Sequence, residues 1–208
     1  MTETQHGRSH GHATGIRWLD VIAGVSAIFI SVLSLVVSIE HGRTMERMVR
    51  ENQRMVSANT LPFLTSGSSE LDPETNQQRI RMTLHNGGVG PAVIDWFEVR
   101  YKGVAYDKLG ELLRACCAAG LPKDRWPDGI AYANVTQTIV PARDEIDFID
   151  LRLRAGRKLL DAFDNARGDI AMRACYCSVL DECWETDFSS ARPRRAKECH
   201  APEGAKLW

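Results

Sequence analysis

The chain carries one long apolar run near its N-terminus, from Val21 to Ile39, and its nineteen residues include no charged side chain. Twelve of them are Val, Ile, Leu or Phe. As a helix, at about 1.5 Å per residue, the run covers roughly 28 Å, close to the thickness of bilayer hydrocarbon. Its large side chains favour insertion by roughly 4 to 7 kcal/mol, from which four serines subtract a part. The run predicts a transmembrane helix over 17–40, preceded by a disordered polar tail over 1–16.

Two other interpretations of the apolar run are weaker. A cleaved signal peptide has a shorter apolar core, about 7 to 15 residues, followed by a small-residue cleavage site. Here the only such match is the weak pair Val36 and Ser38. A buried core helix of a globular protein is the second alternative, but the downstream sequence supplies apolar segments of its own. The bilayer is therefore the expected partner of this run.

A second pattern runs along the same helix, because residues at alternating steps of three and four form one face, called the seam below. Its members are Gly24, Ala27, Ser31, Ser34, Ser38, His41, Met45, Met48, Asn52 and Met55. Small residues in lipid let helices approach closely, and Asn52 in a coiled-coil core would fix its register. The seam predicts a homo-oligomer formed by the transmembrane helix and a helical stalk over 41–60. The alternative is a stripe that packs against lipid or against the chain's own domain.

Pro62 ends the helical pattern, and the periodicity beyond it alternates as in β-strands. We expect strands at 63–68, 79–85, 92–101, 130–140, 146–153, 170–179 and 183–188. Two short helices interrupt them, one capped by Asp107 and Gly120 and the other over 156–167. This order predicts a mainly β domain over 62–190, an immunoglobulin-like β-sandwich with two helical insertions, ahead of a small barrel. A basic, flexible tail would follow over 191–208.

Two segments of this domain could be mistaken for binding sites. The glycine-rich segment from Asn86 to Pro91 lacks the lysine of a P-loop and does not lead into a helix, so we interpret it as a structural turn. The acidic residues between Asp144 and Asp150 could act as general acid and base or hold a hard cation. No histidine or serine completes a hydrolytic arrangement with them, which favours solvated strand faces.

Four of the six cysteines fall late in the chain, at Cys175, Cys177, Cys183 and Cys199. A hairpin centred near Leu180 would place Cys177 opposite Cys183, within reach of a disulfide, so structural thiols or disulfides are the favoured interpretation. A zinc site is less favoured because two thiols at i and i+2 on a strand lie too far apart for one ion. Redox catalysis is the third possibility, although the C-x-x-C motif is absent. Cys116 and Cys117 are expected to act as small apolar residues.

Two segments together resemble a group of uncharacterised bacterial single-pass membrane proteins. They are the stretch from Leu84 to Ala92, with its N-G-G-x-G-P-A pattern, and the stretch from Cys175 to Trp184, with its C-Y-C-S-x-x-D-E-C-W pattern. The anchor and a stalk that ends in Leu-Pro-Phe add to the likeness. The resemblance implies this architecture and a bacterial plasma membrane location, and it carries no activity and no functional residues.

Charge limits the class of partner. With 26 basic against 27 acidic side chains, the chain lacks the basic excess of a nucleic-acid-binding protein.

Four arginines follow the apolar run and two precede it, which slightly favours a cytoplasmic domain, whereas the cysteines favour an oxidising periplasm. The sequence predicts a membrane-anchored binding or assembly protein without a cofactor, a metal or evident catalysis, and with an unidentified protein partner. The alternative is a thiol- or metal-dependent sensor or enzyme that uses the late cysteines.

Overall fold

The computed structural model describes residues 17–120 and 127–208, so the predicted polar tail over 1–16 lies outside the described residues. The chain divides between Arg54 and Met55 into two compact units. The described residues of the first unit all lie in one helix, α1, which runs from Arg17 to Asn59 without interruption. At 1.5 Å per residue its 43 residues are about 64 Å long. The predicted long apolar helix is therefore present as a single element.

No side chain from Trp18 to Val56 of α1 is buried, although the segment up to Ile39 is almost entirely apolar. Two of its serines bond back along the helix, because Ser31 donates to the carbonyl of Ala27 and Ser38 to that of Ser34, at 2.8 Å each. These hydroxyls are thus satisfied within α1 itself. Among the described residues, α1 is the one helix long and apolar enough to span a membrane.

Within its described residues the second unit contains ten strands in two antiparallel sheets, which confirms the prediction of a β-rich body. The strands are β1 (Leu64–Leu71), β2 (Gln78–Asn86), β3 (Ala92–Tyr101), β4 (Val104–Tyr106), β5 (Ile130–Tyr132), β6 (Thr138–Val140), β7 (Glu145–Arg152), β8 (Ile170–Cys177), β9 (Cys183–Thr186) and β10 (Arg194–Ala196). The first sheet has the order β1-β2-β7-β5. The second has the order β10-β9-β8-β3-β4, with β6 also paired to β3.

Both sheets contribute to one apolar core. Phe97 of β3 meets Phe148 of β7 edge to face, with ring centroids 5.2 Å apart. The alternation that marks β2 in the sequence places Ile80, Met82 and Leu84 in this core. Two short helices, α2 (Leu109–Cys116) and α3 (Arg157–Ala166), add buried leucines and Phe163.

Several predicted boundaries differ from the structure, most of them by one to three residues. The segment 130–140 is not one strand, because β5 and β6 belong to different sheets and a turn at Asn134 separates them. The Asn134 side chain accepts a hydrogen bond from the Thr136 amide at 3.1 Å, which stabilises that turn. Helix α2 begins after Lys108 instead of Asp107 and ends at Cys116, short of Gly120.

The C-terminal segment is also more ordered than the predicted flexible tail over 191–208. Strand β10 pairs with β9, and Trp208 is only 3% exposed. Its indole nitrogen donates to the carbonyl of Ala133 at 3.0 Å, and its ring meets that of Phe148. The basic composition of the segment concealed its one aromatic residue, whose burial holds the chain end against the core.

Candidate functional site

The turn after β2 is organised by Asn86, whose side chain is completely buried. Its amide oxygen accepts hydrogen bonds from two backbone amides, and its amide nitrogen donates to three backbone carbonyls. These partners are the amides of Phe63 and Gly88 and the carbonyls of Gly90, Val140 and Pro141, at 2.8 to 3.2 Å. One side chain thus joins the segment after α1, the glycine-rich turn and the end of β6.

The glycines of this turn are explained by close backbone approach. A Cβ at Gly88 would lie 2.4 Å from the carbonyl oxygen of Leu61, and one at Gly90 would lie 2.2 Å from that of Thr60. The turn amides face the same segment, since Gly87 donates to the carbonyl of Phe63 at 2.9 Å. Because these amides are bonded to the chain itself, the turn is a structural connection and does not offer a phosphate cradle.

The acidic residues of β7 are held by arginines from β2. Arg79 binds both carboxylate oxygens of Asp150, at 2.8 and 2.9 Å, and Arg152 adds a third bond at 3.0 Å. Burial of the Asp150 carboxyl acts to raise its pKa, but the bonds from Arg79 and Arg152 outweigh burial and lower the pKa below its usual range. Asp150 is 5% exposed, so the prediction of a solvated strand face does not hold for it. The cluster is an ion-pair network that joins two strands.

Asp150→Asn is expected to lower the free energy of unfolding by about 2 kcal/mol at pH 7, because Arg79 loses a charged partner at a buried position. A carboxyl whose folded-state pKa is lowered stabilises the fold above its unfolded pKa of about 3.9, and this contribution is lost as the pH falls through the folded-state value. The difference between wild type and variant should shrink below about pH 4. Denaturant titrations of the full chain in detergent measure this, and a difference that stays constant from pH 7 to pH 2.5 would contradict it.

The predicted seam lies on α1. The seam residues Gly24, Ala27, Ser31, Ser34, Ser38, Met45, Met48, Asn52 and Met55 are all exposed. Among them the three methionines are the largest apolar side chains, each about 60% exposed.

The late cysteines come together at one end of the second sheet. Cys177 and Cys183 are opposite each other in the β8–β9 pair and form a disulfide with a Cα–Cα distance of 4.0 Å. Cys175 forms a second disulfide with Cys199, from the segment after β10, with a Cα–Cα distance of 5.6 Å. The two bonds are adjacent, because the Sγ atoms of Cys177 and Cys199 are 3.7 Å apart.

The Sγ atoms of Cys177, Cys183 and Cys199 lie within 4.8 Å of one another, a distance at which reduced thiols could share a metal ion. Cys175 is not part of this group. In the disulfide form described here the sulfurs are bonded in pairs and have no thiolate to offer a metal.

Asp95 is the residue of this site that sequence reasoning missed. The β3–β8 register shifts between Ile94 and Trp96, which makes Asp95 a bulged residue, and its carboxylate oxygen lies 3.2 Å from Cys177 Sγ. Partial burial raises the pKa of this carboxyl above its usual range. A bulge re-aims side chains next to the partner strand, and a single sequence contains no signal for it.

The first two cysteines also form a disulfide, between the adjacent residues Cys116 and Cys117 at the end of α2. The sequence predicts that both act as small apolar residues on an apolar helix face, and the disulfide corrects this expectation. The helix ends at Cys116, and Cys117 leaves the helical conformation, with φ of −138°. All six cysteines of the chain are therefore paired.

A surface cleft of about 530 Å³ lies beside α3, and its lining includes Glu70, Gln78, Arg157, Asp161 and Asp164. Within it Gln78 donates to Asp161 at 3.1 Å, so part of its polar surface is already paired. Its polar lining consists of carboxylates, amides and one arginine.

The structure defines a class: a chain with one exposed apolar helix and a disulfide-bonded, β-rich body built on two antiparallel sheets. Comparisons of the chain with protein-family models, curated proteins and solved structures give no match.

Proposed function

We propose that this protein is a single-pass membrane protein whose body acts in binding or assembly. The observation that carries the proposal is the exposed apolar surface of α1 from Trp18 to Ile39. In water such a surface is unfavourable, whereas insertion of these side chains into lipid gains roughly 4 to 7 kcal/mol. The resemblance of the sequence to bacterial single-pass proteins makes the bacterial plasma membrane the expected location, with an unidentified protein as partner.

We also propose that the two sheets form an immunoglobulin-like sandwich. The antiparallel pairing in both sheets and the contact between Phe97 and Phe148 support this, because inner faces of a sandwich interdigitate in one core. Such a scaffold presents loops and strand edges to a partner while its core stays closed.

The side of the membrane that the body occupies is proposed from its disulfides. Positive charges flanking the span slightly favour the cytoplasm. Three disulfides that together use every cysteine favour an oxidising compartment, where such bonds persist, and we give this argument more weight. We therefore place the body outside the cytoplasm.

Reporter fusions test this orientation in cells. Green fluorescent protein fused before residue 1 should fluoresce, since it works as a reporter on the cytoplasmic side. Alkaline phosphatase joined after Trp208 through a flexible linker should be active, since it works only outside the cytoplasm. The reverse pattern would place the body in the cytoplasm and refute the proposed orientation. Because the fusions report sidedness independently of any partner, the result stands whatever the body binds.

The seam supports self-association, because three exposed methionines continue the small-residue face of the membrane segment into the stalk. Met48→Cys on the seam should give a disulfide-linked dimer in oxidised membranes. The control Glu51→Cys, three residues further and off the seam, should give at least about fivefold less, because coiled-coil contacts repeat with the heptad. Equal dimer yields from both variants on non-reducing gels would contradict a seam-mediated homo-oligomer.

A further inference from the structure

The two late disulfides are in contact, because the sulfur of Cys177 lies next to the disulfide between Cys175 and Cys199. Cys177 Sγ lies 3.7 Å from Cys199 Sγ, while Cys177 is bonded to Cys183 and Cys199 to Cys175. Thiol–disulfide exchange requires a thiolate to approach a disulfide sulfur and displace the other one. The fold places Cys177 within one short movement of such an attack on Cys199.

Burial separates the four sulfurs into an outer and an inner set. Cys177 and Cys199 are partly exposed, whereas Cys175 is completely buried and Cys183 is 6% exposed. An external thiol can therefore reach Cys177 but not Cys175. Any reduction of Cys175 that leaves the fold intact must proceed through Cys199, the partner next to Cys177.

We propose that Cys177, Cys183, Cys199 and Cys175 form a thiol–disulfide exchange site that accepts electrons from an external dithiol and passes the exchange inward from Cys177 to Cys199. This activity goes beyond the proposed binding or assembly role. Its substrates are dithiols, either small molecules or proteins, whereas the binding or assembly role requires no such substrate.

The exchange has two balanced stages. One thiolate of the dithiol attacks Cys177 Sγ, and Cys183 leaves as a thiolate and takes a proton. The second thiol of the donor then attacks the donor sulfur that is bonded to Cys177. This releases Cys177 as a thiolate and leaves the donor as a disulfide, oxidised by two electrons. In the inner stage the Cys177 thiolate attacks Cys199 Sγ, and the bond to Cys175 breaks. Cys175 keeps the electron pair and takes the proton that the second thiol of the donor gave up, so this stage involves no net oxidation.

Asp95 regulates the inner stage by position. Its carboxylate oxygen lies 3.2 Å from Cys177 Sγ, and a negative charge there disfavours the thiolate form of a reduced Cys177. The bulge in β3 that places Asp95 thereby restrains exchange. The substitution Asp95→Asn, which replaces the carboxylate with a neutral amide of similar size, should accelerate the exchange several-fold at neutral pH.

Cys183→Ser in the full chain, purified in detergent, isolates the inner stage, because it leaves Cys177 as the single thiol. After trapping with N-ethylmaleimide, chymotrypsin cleavage after Tyr176 separates the peptides of Cys175 and Cys177, and mass spectrometry assigns the linked pairs. We expect a Cys177–Cys199 pair together with trapped Cys175. In the matched variant Cys177→Ser the Cys183–Cys199 pair should be about tenfold less abundant, because exchange depends on which sulfur is in position to attack.

A second measurement does not depend on the folding of either variant. The wild-type chain is treated with substoichiometric tris(2-carboxyethyl)phosphine, quenched in acid and mapped in the same way. Accumulation of the Cys177–Cys199 pair, with free thiols at Cys175 and Cys183, supports the proposal. Two results together would rule out the exchange site. In the wild type after reduction, Cys177 and Cys183 are the only trapped thiols, and in Cys183→Ser, Cys177 is the only trapped thiol.

Discussion

Asn86→Ala is expected to lower the free energy of unfolding of the body by about 4 kcal/mol, because unsatisfied buried polar groups cost roughly 1 to 3 kcal/mol each and water can replace only part of the lost bonds. The side chain is completely buried and is bonded to five backbone groups from three separate segments. Truncation therefore leaves two amides and three carbonyls without this partner. Chemical denaturation of the full chain in detergent, followed by near-ultraviolet circular dichroism, measures the loss.

Asn165→Ala is the matched control for this prediction. Asn165 is exposed, and its side chain makes a hydrogen bond of 2.8 Å to the carbonyl of Asp161 in its own helix. Its replacement should change stability by less than about 0.5 kcal/mol, as is usual at surface positions. Equal, small effects of both substitutions would mean that Asn86 does not hold the turn to its neighbours.

The double substitution Phe29→Arg and Leu33→Arg is expected to remove the chain from membranes. Both residues are exposed in the middle of the apolar segment, on the side of α1 away from the seam. An arginine near the centre of a span costs roughly 2.5 to 3.5 kcal/mol, so two of them offset the whole gain of roughly 4 to 7 kcal/mol. Fractionation of cells that express the variant should find it outside the membrane fraction.

Phe29→Leu with Leu33→Ile provides the control, since it changes the same positions and keeps them apolar. This variant should partition like the wild type, because the side chains of leucine and isoleucine insert as favourably as those they replace. Retention of the double-arginine variant in membranes would mean that something other than the apolar segment holds the chain there.

The regular elements of the body follow from local patterns that the sequence displays. Alternating apolar residues predict the buried face of β2, and the spacing of Leu159, Leu160 and Phe163 predicts the buried face of α3. These patterns are local, so a single sequence is sufficient to find them. The division of 130–140 between two sheets is not local, because it depends on which strands β5 and β6 pair with.

The candidate site is harder to predict than the regular elements because it also depends on pairing between residues far apart in sequence. Cys177 and Cys183 are close in sequence and face each other across one hairpin, so their proximity follows from a local turn. Cys199 reaches the cluster because β10 pairs with β9 and Trp208 enters the core. No local sequence pattern predicts either contact. The approach of Asp95 depends on a bulge between two strands far apart in sequence. Long-range pairing thus decides the chemistry of this site.

Membrane association of the unaltered full chain tests the central claim most directly. Cells that express it are lysed without detergent, membranes are washed with alkaline carbonate, and the fraction is floated through a sucrose gradient. We predict that the chain floats with lipid and resists the carbonate wash, because α1 from Trp18 to Ile39 exposes an apolar surface long enough to cross the bilayer. Recovery of the full-length chain in the supernatant would contradict the anchor, and the proposed tethering and sidedness would then fail with it.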